Sequence, residues 1–234
     1  MLETGPSGQL PPSQVGVGSH LSPVHFVGID ASGPANHDHT AICVLRADRD
    51  RLRYEDHARG LGDAALVARV AALAGPVVIG IDAPLSYGDR GGDRPSDKAL
   101  RKRIQEVGLT GSSVMAPTSP RMVYLTLRGV ALARALQLGA GDPRVVEVHP
   151  GAALAIGGAE PGRVRAVKSD PAARAVVLGW LAEAGLDGLP PDLAETDHEV
   201  MATAAAWAAW RWATGRSAWF WPAAPPCHPF DFAC

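Results

Sequence analysis

At 234 residues, with 47% hydrophobic residues and a formal charge of −2, the chain is long and apolar enough to build one α/β core without staples. The near-neutral balance excludes a globally basic nucleic-acid binder, so any anion-binding surface must be local. Cys43, Cys227 and Cys234 form no CxxC pair, no uncharged apolar run could span a bilayer, and the start lacks the basic-then-apolar pattern of a secretory signal; these features point to a reduced, cytoplasmic protein without a membrane partner.

Residues 1–22, rich in Gly, Pro, Ser and Gln, read as a disordered leader. A single domain then spans 23–222. It opens on the strand Val24 to Asp30, crosses a polar turn, and continues through strands Thr40 to Leu45 and Leu52 to His57 as an antiparallel meander. A helix from Asp63 to Ala74 stops at Gly75-Pro76. The run Val77 to Asp82 is a fourth strand. A helical insertion around 87–140 follows, with a basic helix from Ser96, its N-cap, to Val107, and a second helix from Arg121 to Leu138. A fifth strand, Arg144 to Val148, precedes helical segments that reach Arg211, the last starting at the N-cap Thr196. The Pro-rich tail, 223–234, is expected to lie over the surface. This order predicts a mixed five-stranded sheet, an antiparallel meander plus parallel strands, with helices on both faces.

Three of these apolar strands carry one carboxylate each: Asp30, Asp82 and Glu147. Burying a carboxylate costs several kcal/mol unless it lies at the mouth of a sheet or meets a cation, about the penalty expected for an unpaired buried charge. Asp30 and Asp82 each end a strand. If those strands are neighbours, both acids face one crevice, where open α/β sheets bind ligands. Glu147 alternates against Val146 and Val148 and reaches either the crevice or solvent. Asp197 follows the N-cap Thr196, where its charge also suits the helix dipole. Together the four acids form a candidate site for Mg²⁺ or Mn²⁺, which prefer hard oxygen ligands.

The combination Gly28-Ile29-Asp30, Gly80-Ile81-Asp82-Ala83-Pro84-Leu85-Ser86, Arg94…Asp97…Arg101, Val146-Glu147-Val148-His149-Pro150 and the late Asp197-His198 pair resembles the predicted RNase H-like nucleases grouped as family 429 of domains of unknown function. The resemblance covers roughly residues 25 to 222. It implies an RNase H-like fold and a divalent-metal-dependent phosphodiesterase acting on DNA or RNA, with Asp30, Asp82, Glu147 and Asp197 as catalytic acids and metal ligands. One departure is Met201, where relatives often carry a further acid; Glu199 falls elsewhere around the helix and cannot replace it.

Other features are weighed against plainer readings. Arg94, Lys98 and Arg101 fall at i, i+4 and i+7 and are candidate phosphate contacts, against a solvated face with Asp97 paired to Arg101. His37-Asp38-His39 lacks a further ligand at zinc spacing and reads as a polar turn. His149 is a candidate proton carrier beside Glu147, against a structural histidine. Trp207, Trp210, Trp212, Trp219 and Trp221 read as aromatic core before base-stacking surface, with a homodimer contact as the remaining use. Two rival functions stand beside the nuclease: a non-catalytic nucleic-acid-binding module of the same fold, and an actin-like ATP-dependent phosphotransferase. Pro34 and Pro84 remove backbone donors that the latter needs.

Overall fold

The computed structural model describes residues 23–139 and 141–234; the leader assigned to 1–22 lies outside the described residues. The meander is present as β1 (His25–Asp30), β2 (Ala41–Asp48) and β3 (Arg51–Arg59), followed by α1 (Asp63–Ala71) and β4 (Val77–Asp82). Next come α2 (Pro95–Glu106), α3 (Val123–Leu138) and β5 (Arg144–Val148). Then follow α4 (Pro150–Gly157), α5 (Pro161–Ala166), α6 (Pro171–Glu183), β6 (Leu186–Asp187), α7 (Asp197–Ala213), β7 (Phe220–Trp221) and β8 (Phe232–Ala233).

The sheet has eight strands in the order β6-β3-β2-β1-β4-β5-β8-β7, not the five expected. The five long strands occupy its centre: β1, β2 and β3 are antiparallel, while β1, β4 and β5 run parallel. The three added strands have two residues each, too short to carry a period-2 pattern, and exist because a neighbour offers a ladder. The tail is therefore structural: β8 pairs with β5, and Phe232, Ala233 and Cys234 are buried.

Helices cover both faces. Val27, Ile29, Ile79, Ile81 and Val145 face a core closed by Leu66 and Val70 of α1 and Leu132, Ala133 and Leu136 of α3. Phe26, Val78, Val146 and Val148 face the other core, with α7, α4 and Leu100 and Ile104 of α2. The segment expected to be an insertion thus supplies one helix to each core. Trp207, Trp210 and Trp212 are buried, Trp207 edge-on to Trp180, so these indoles offer no exposed patch for bases or a second copy. Among the described residues no helix is long and apolar enough to cross a membrane.

α7 is buried around nearly its whole girth and lies directly on the sheet. A Cβ on Gly28 would stand 1.8 Å from the Ala202 carbonyl oxygen and 2.3 Å from the Ala206 nitrogen; one on Gly80 would stand 2.5 Å from the Ala205 carbonyl oxygen. Only glycine in the strands, facing alanines in the helix, permits this approach. Gly28→Ala should therefore cost about 3 kcal/mol or more, the upper range for overpacking, since backbone must move. Gly33→Ala, with no atom within 4 Å of the added methyl, should stay within about 1 kcal/mol. Urea unfolding of the two variants checks this.

Candidate functional site

Asp30 and Asp82 are register partners on adjacent parallel strands, two residues beyond Gly28 and Gly80, which are also partners. The period-2 alternation puts each Gly and its Asp on the same face, the one α7 covers. From Ala202 back to His198 is one helical turn, about 6 Å. From Gly28 forward to Asp30 is about 6.6 Å. The helix N-terminus therefore meets the strand ends, and His198 Nδ1 lies 2.7 Å from Asp30 Oδ2. Thr196 caps α7: its Oγ1 accepts from the Glu199 amide and donates to Glu199 Oε2 at 2.8 Å.

These groups open into a cavity of about 660 Å³ whose lining includes Asp30, Asp82, Asp197, His198, Lys168 and Met201. Burial pushes the Asp30 carboxyl up, against the pull of His198. The Asp82 carboxyl stands well above the ordinary carboxylate range, first because of burial, then because the Asp30 charge is beside it. His198 is raised through its hydrogen bond to Asp30. Asp30 and Asp82 are register partners at the cavity and the charge of Asp30 pushes Asp82 up, so the pair favours retaining a proton or gaining a cation.

Glu147 lines the same cavity and adds to the upward push on Asp82, but its carboxylate is held by Arg94. It pairs in register with Ile81, one position short of Asp82, and shares the face of Val145. Its Oε2 accepts from the Leu85 amide and from Arg94 Nη1, both at 2.8 Å, and its Oε1 lies 2.5 Å from Arg94 Nη2. Arg94 also donates to Asp97 Oδ1 at 2.7 Å and to Ser86 Oγ at 3.0 Å. The donors of Arg94 are thus taken up by Glu147, Asp97 and Ser86, and Glu147 accepts three hydrogen bonds. Glu147 and Arg94 are therefore paired to each other at the edge of the cavity.

The basic stripe dissolves for a local reason. Arg94 is the N-cap of α2, with extended φ −71° and ψ 160°, so helical spacing does not extend to it; Ser96 is not the cap. Its amide donates to Asp97 Oδ2, which places Asp97 with Arg94 and not with Arg101. Arg101 forms a two-pronged pair with Asp93 and donates to the Val114 carbonyl. Of the three candidate cations only Lys98 stays exposed on the helix.

Asp197 lines the cavity, its Oδ1 3.8 Å from His198 Nε2. His149 is fixed at both nitrogens: Nε2 faces the Ser113 carbonyl at 2.9 Å, and Nδ1 accepts the Ala152 amide at the N-cap of α4. Burial lowers its pKa, and the hydrogen bonds hold it as a structural histidine. His39 stacks on His198, with ring centroids 5.0 Å apart. Sequence reasoning assigned no role to His198 and missed Lys168. The Asp-His dipeptide was a usable signal for the first; an isolated lysine in a helical linker gives none. Among the described residues no three His, Cys, Asp or Glu side chains are gathered tightly enough to hold a metal by themselves. Two carboxylates nonetheless fit Mg²⁺, which binds through one or two carboxylates and keeps several waters.

The family model described as Protein of unknown function (DUF429) matches residues 28–226. No curated protein and no solved structure matches the chain.

Two substitutions separate the acid paired to Arg94 from the acid beside Asp30. Glu147→Gln leaves Arg94 short of one buried anion and should cost about 3 kcal/mol in urea unfolding. Asp82→Asn should instead stabilise. The folded protein retains a proton on Asp82 that the unfolded chain releases, so native stability falls as pH rises from the ordinary carboxylate range toward the raised value. The variant should melt higher near neutral and alkaline pH, by about 2–4 °C for each kcal/mol relieved, and the gain should vanish below the ordinary carboxylate range. Thermal melts across pH check both sign and window.

Proposed function

The chain belongs to the DUF429 family, and we propose that it is a divalent-metal-dependent hydrolase of nucleic-acid phosphodiesters on an RNase H-like domain. The observation that carries this reading is the Asp30–Asp82 pair: two carboxylates at paired positions on the ends of adjacent parallel strands, both lining one cavity, with no arginine among the described residues bonded to either. The five central strands, a meander joined to parallel crossovers, agree with an RNase H-like sheet. Asp30 and Asp82 would hold Mg²⁺ or Mn²⁺, with Asp197 at the rim and Glu147 outside the ligand set. When bound, the ion supplies Lewis-acid polarisation of the phosphoryl oxygen and a more acidic water.

The remaining work falls to side chains. His198 fixes Asp30 through the 2.7 Å hydrogen bond and keeps its other nitrogen toward Asp197, a route for a proton between the two carboxylates. Lys168 supplies positive potential at the cavity wall, where the charge of a phosphoester accumulates. Hydrolysis places the water oxygen on phosphorus and the proton on the leaving oxygen.

Mn²⁺-dependent cleavage of a labelled oligonucleotide is the direct assay. Asp30→Asn and Asp82→Asn should each lower the rate by at least about 100-fold, the scale of losing preorganised charge stabilisation. Equal cleavage by wild type and both variants would remove the reading. In parallel, Mn²⁺ should raise the melting temperature of the wild type and leave that of Asp82→Asn unchanged.

A further inference from the structure

The acid pair says what bond could be cut; the shape and charge around it say how large a substrate it takes. A protein that tracks a duplex neutralises on the order of 6–10 phosphates with surface cations. Here two of the three cations that the sequence offers for that purpose are engaged by carboxylates, and Lys98 alone of the three stays exposed. Arg94 is buried against Glu147 and Asp97, Arg101 is paired to Asp93, and Arg103 to Glu106. Arg165, at the cavity wall, donates to the Gly108 carbonyl at 2.6 Å. What opens onto Asp30 and Asp82 is a cavity of about 660 Å³, inside the range that encloses one small ligand.

The lining is amphiphilic. Lys168 and the two aspartates give it a charged region, while Leu109, Val114, Met115 and Met122 give it an apolar wall from the segment between α2 and α3. Met115 is 39% exposed, an apolar side chain open to solvent. Methionine is suited to such a wall, since its thioether packs against aromatic rings of varied shape. A charged head beside a flat aromatic body is the chemistry of one nucleotide.

We propose that this cavity binds a single nucleotide unit, its phosphate at Lys168 and its base against the methionine-bearing wall, and that the protein acts on nucleotide-sized phosphoesters or strand ends and not on the interior of a duplex. The proposal rests on the phosphodiester reading for the reaction, and on the cavity alone for binding. Free nucleotide derivatives and strand termini share this chemistry, and the assay separates them.

Calorimetry with the full chain in Mg²⁺ uses thymidine 5′-monophosphate and a covalently closed dumbbell duplex as probes. The nucleotide should bind, Lys168→Ala should weaken it about 10-fold, as for a lost charge-assisted contact, and Lys168→Arg should restore most of the loss. The dumbbell should bind weakly, its log–log salt slope no steeper than about −2. In Mn²⁺, mononucleotide release from a labelled single strand identifies the strand end as substrate. Turnover of thymidine 5′-p-nitrophenyl phosphate without such release identifies the free phosphoester. Nucleotide binding that depends on Lys168 in a protein that cleaves neither would support the cavity assignment and end the hydrolytic one. Failure to bind the nucleotide, a dumbbell slope of about −5 or steeper, or nicking of a closed circle as fast as release from ends would overturn the proposal.

Discussion

The backbone of α7 rests on two glycines, and the geometry of the site follows from that contact. Gly28 and Gly80 leave no room for a Cβ beneath Ala202, Ala205 and Ala206. A helix held this close is held in register as well as in height. One turn of helix matches two residues of strand to within about 0.6 Å, so the step that carries Ala202 to His198 also carries Gly28 to Asp30. The step from Ala205 leads to Met201, which lines the cavity with Asp82 and brings no donor to it. Asp30 thereby receives a histidine and Asp82 a thioether. That difference is consistent with the larger upward displacement of Asp82.

Two charge systems lie side by side at the strand ends and are resolved in opposite ways. Around Arg94, two carboxylates, a hydroxyl and a backbone amide satisfy the buried ions, which makes the cluster a brace between β5, the start of α2 and the turn after β4. Breaking such a cluster leaves an uncompensated charge, which is why it belongs to the fold. Around Asp30 and Asp82, two like charges share a wall, with one histidine and a more distant lysine to offset them. The fold tolerates this only because the pair opens to a cavity. Uncompensated charge in a concave, partly dry setting is where ligand-binding energy is available.

An acid at the end of each of two β-branched runs made the convergence of Asp30 and Asp82 readable, on the condition that the two strands are neighbours, which they are. The same local pattern left the partner of Glu147 unread. Alternation gives a side chain's face relative to its own strand, whereas pairing register fixes its partner, and β5 is offset by one from β4 at that point. Arg94 misled for a related reason: counting i, i+4, i+7 assumes helical dihedrals at the first residue, and an N-cap does not have them. The two-residue strands β6, β7 and β8 were beyond any periodicity. Their pairing is decided by what β3 and β5 leave open, and that is a property of the folded sheet.

Three arginines hold the loops around the cavity. Arg101 donates to the carbonyls of Gly111 and Val114 and pins the wall after α2. Arg128 of α3 reaches the Ser32 carbonyl, Thr40 Oγ1 and Asp63, and pins the turn between β1 and β2. Arg174 of α6 bonds the carbonyls of Val167 and Ala194, holding the residue before Lys168 and the approach to Thr196. A planar guanidinium presents five donors in a fixed fork and so clasps several carbonyls in a set geometry, whereas an ammonium has three rotatable donors. Arginine is thus consumed in holding the three loops that shape the cavity. Lys168, a mobile point charge, stands at the cavity wall beside Arg165, which is tied to the Gly108 carbonyl.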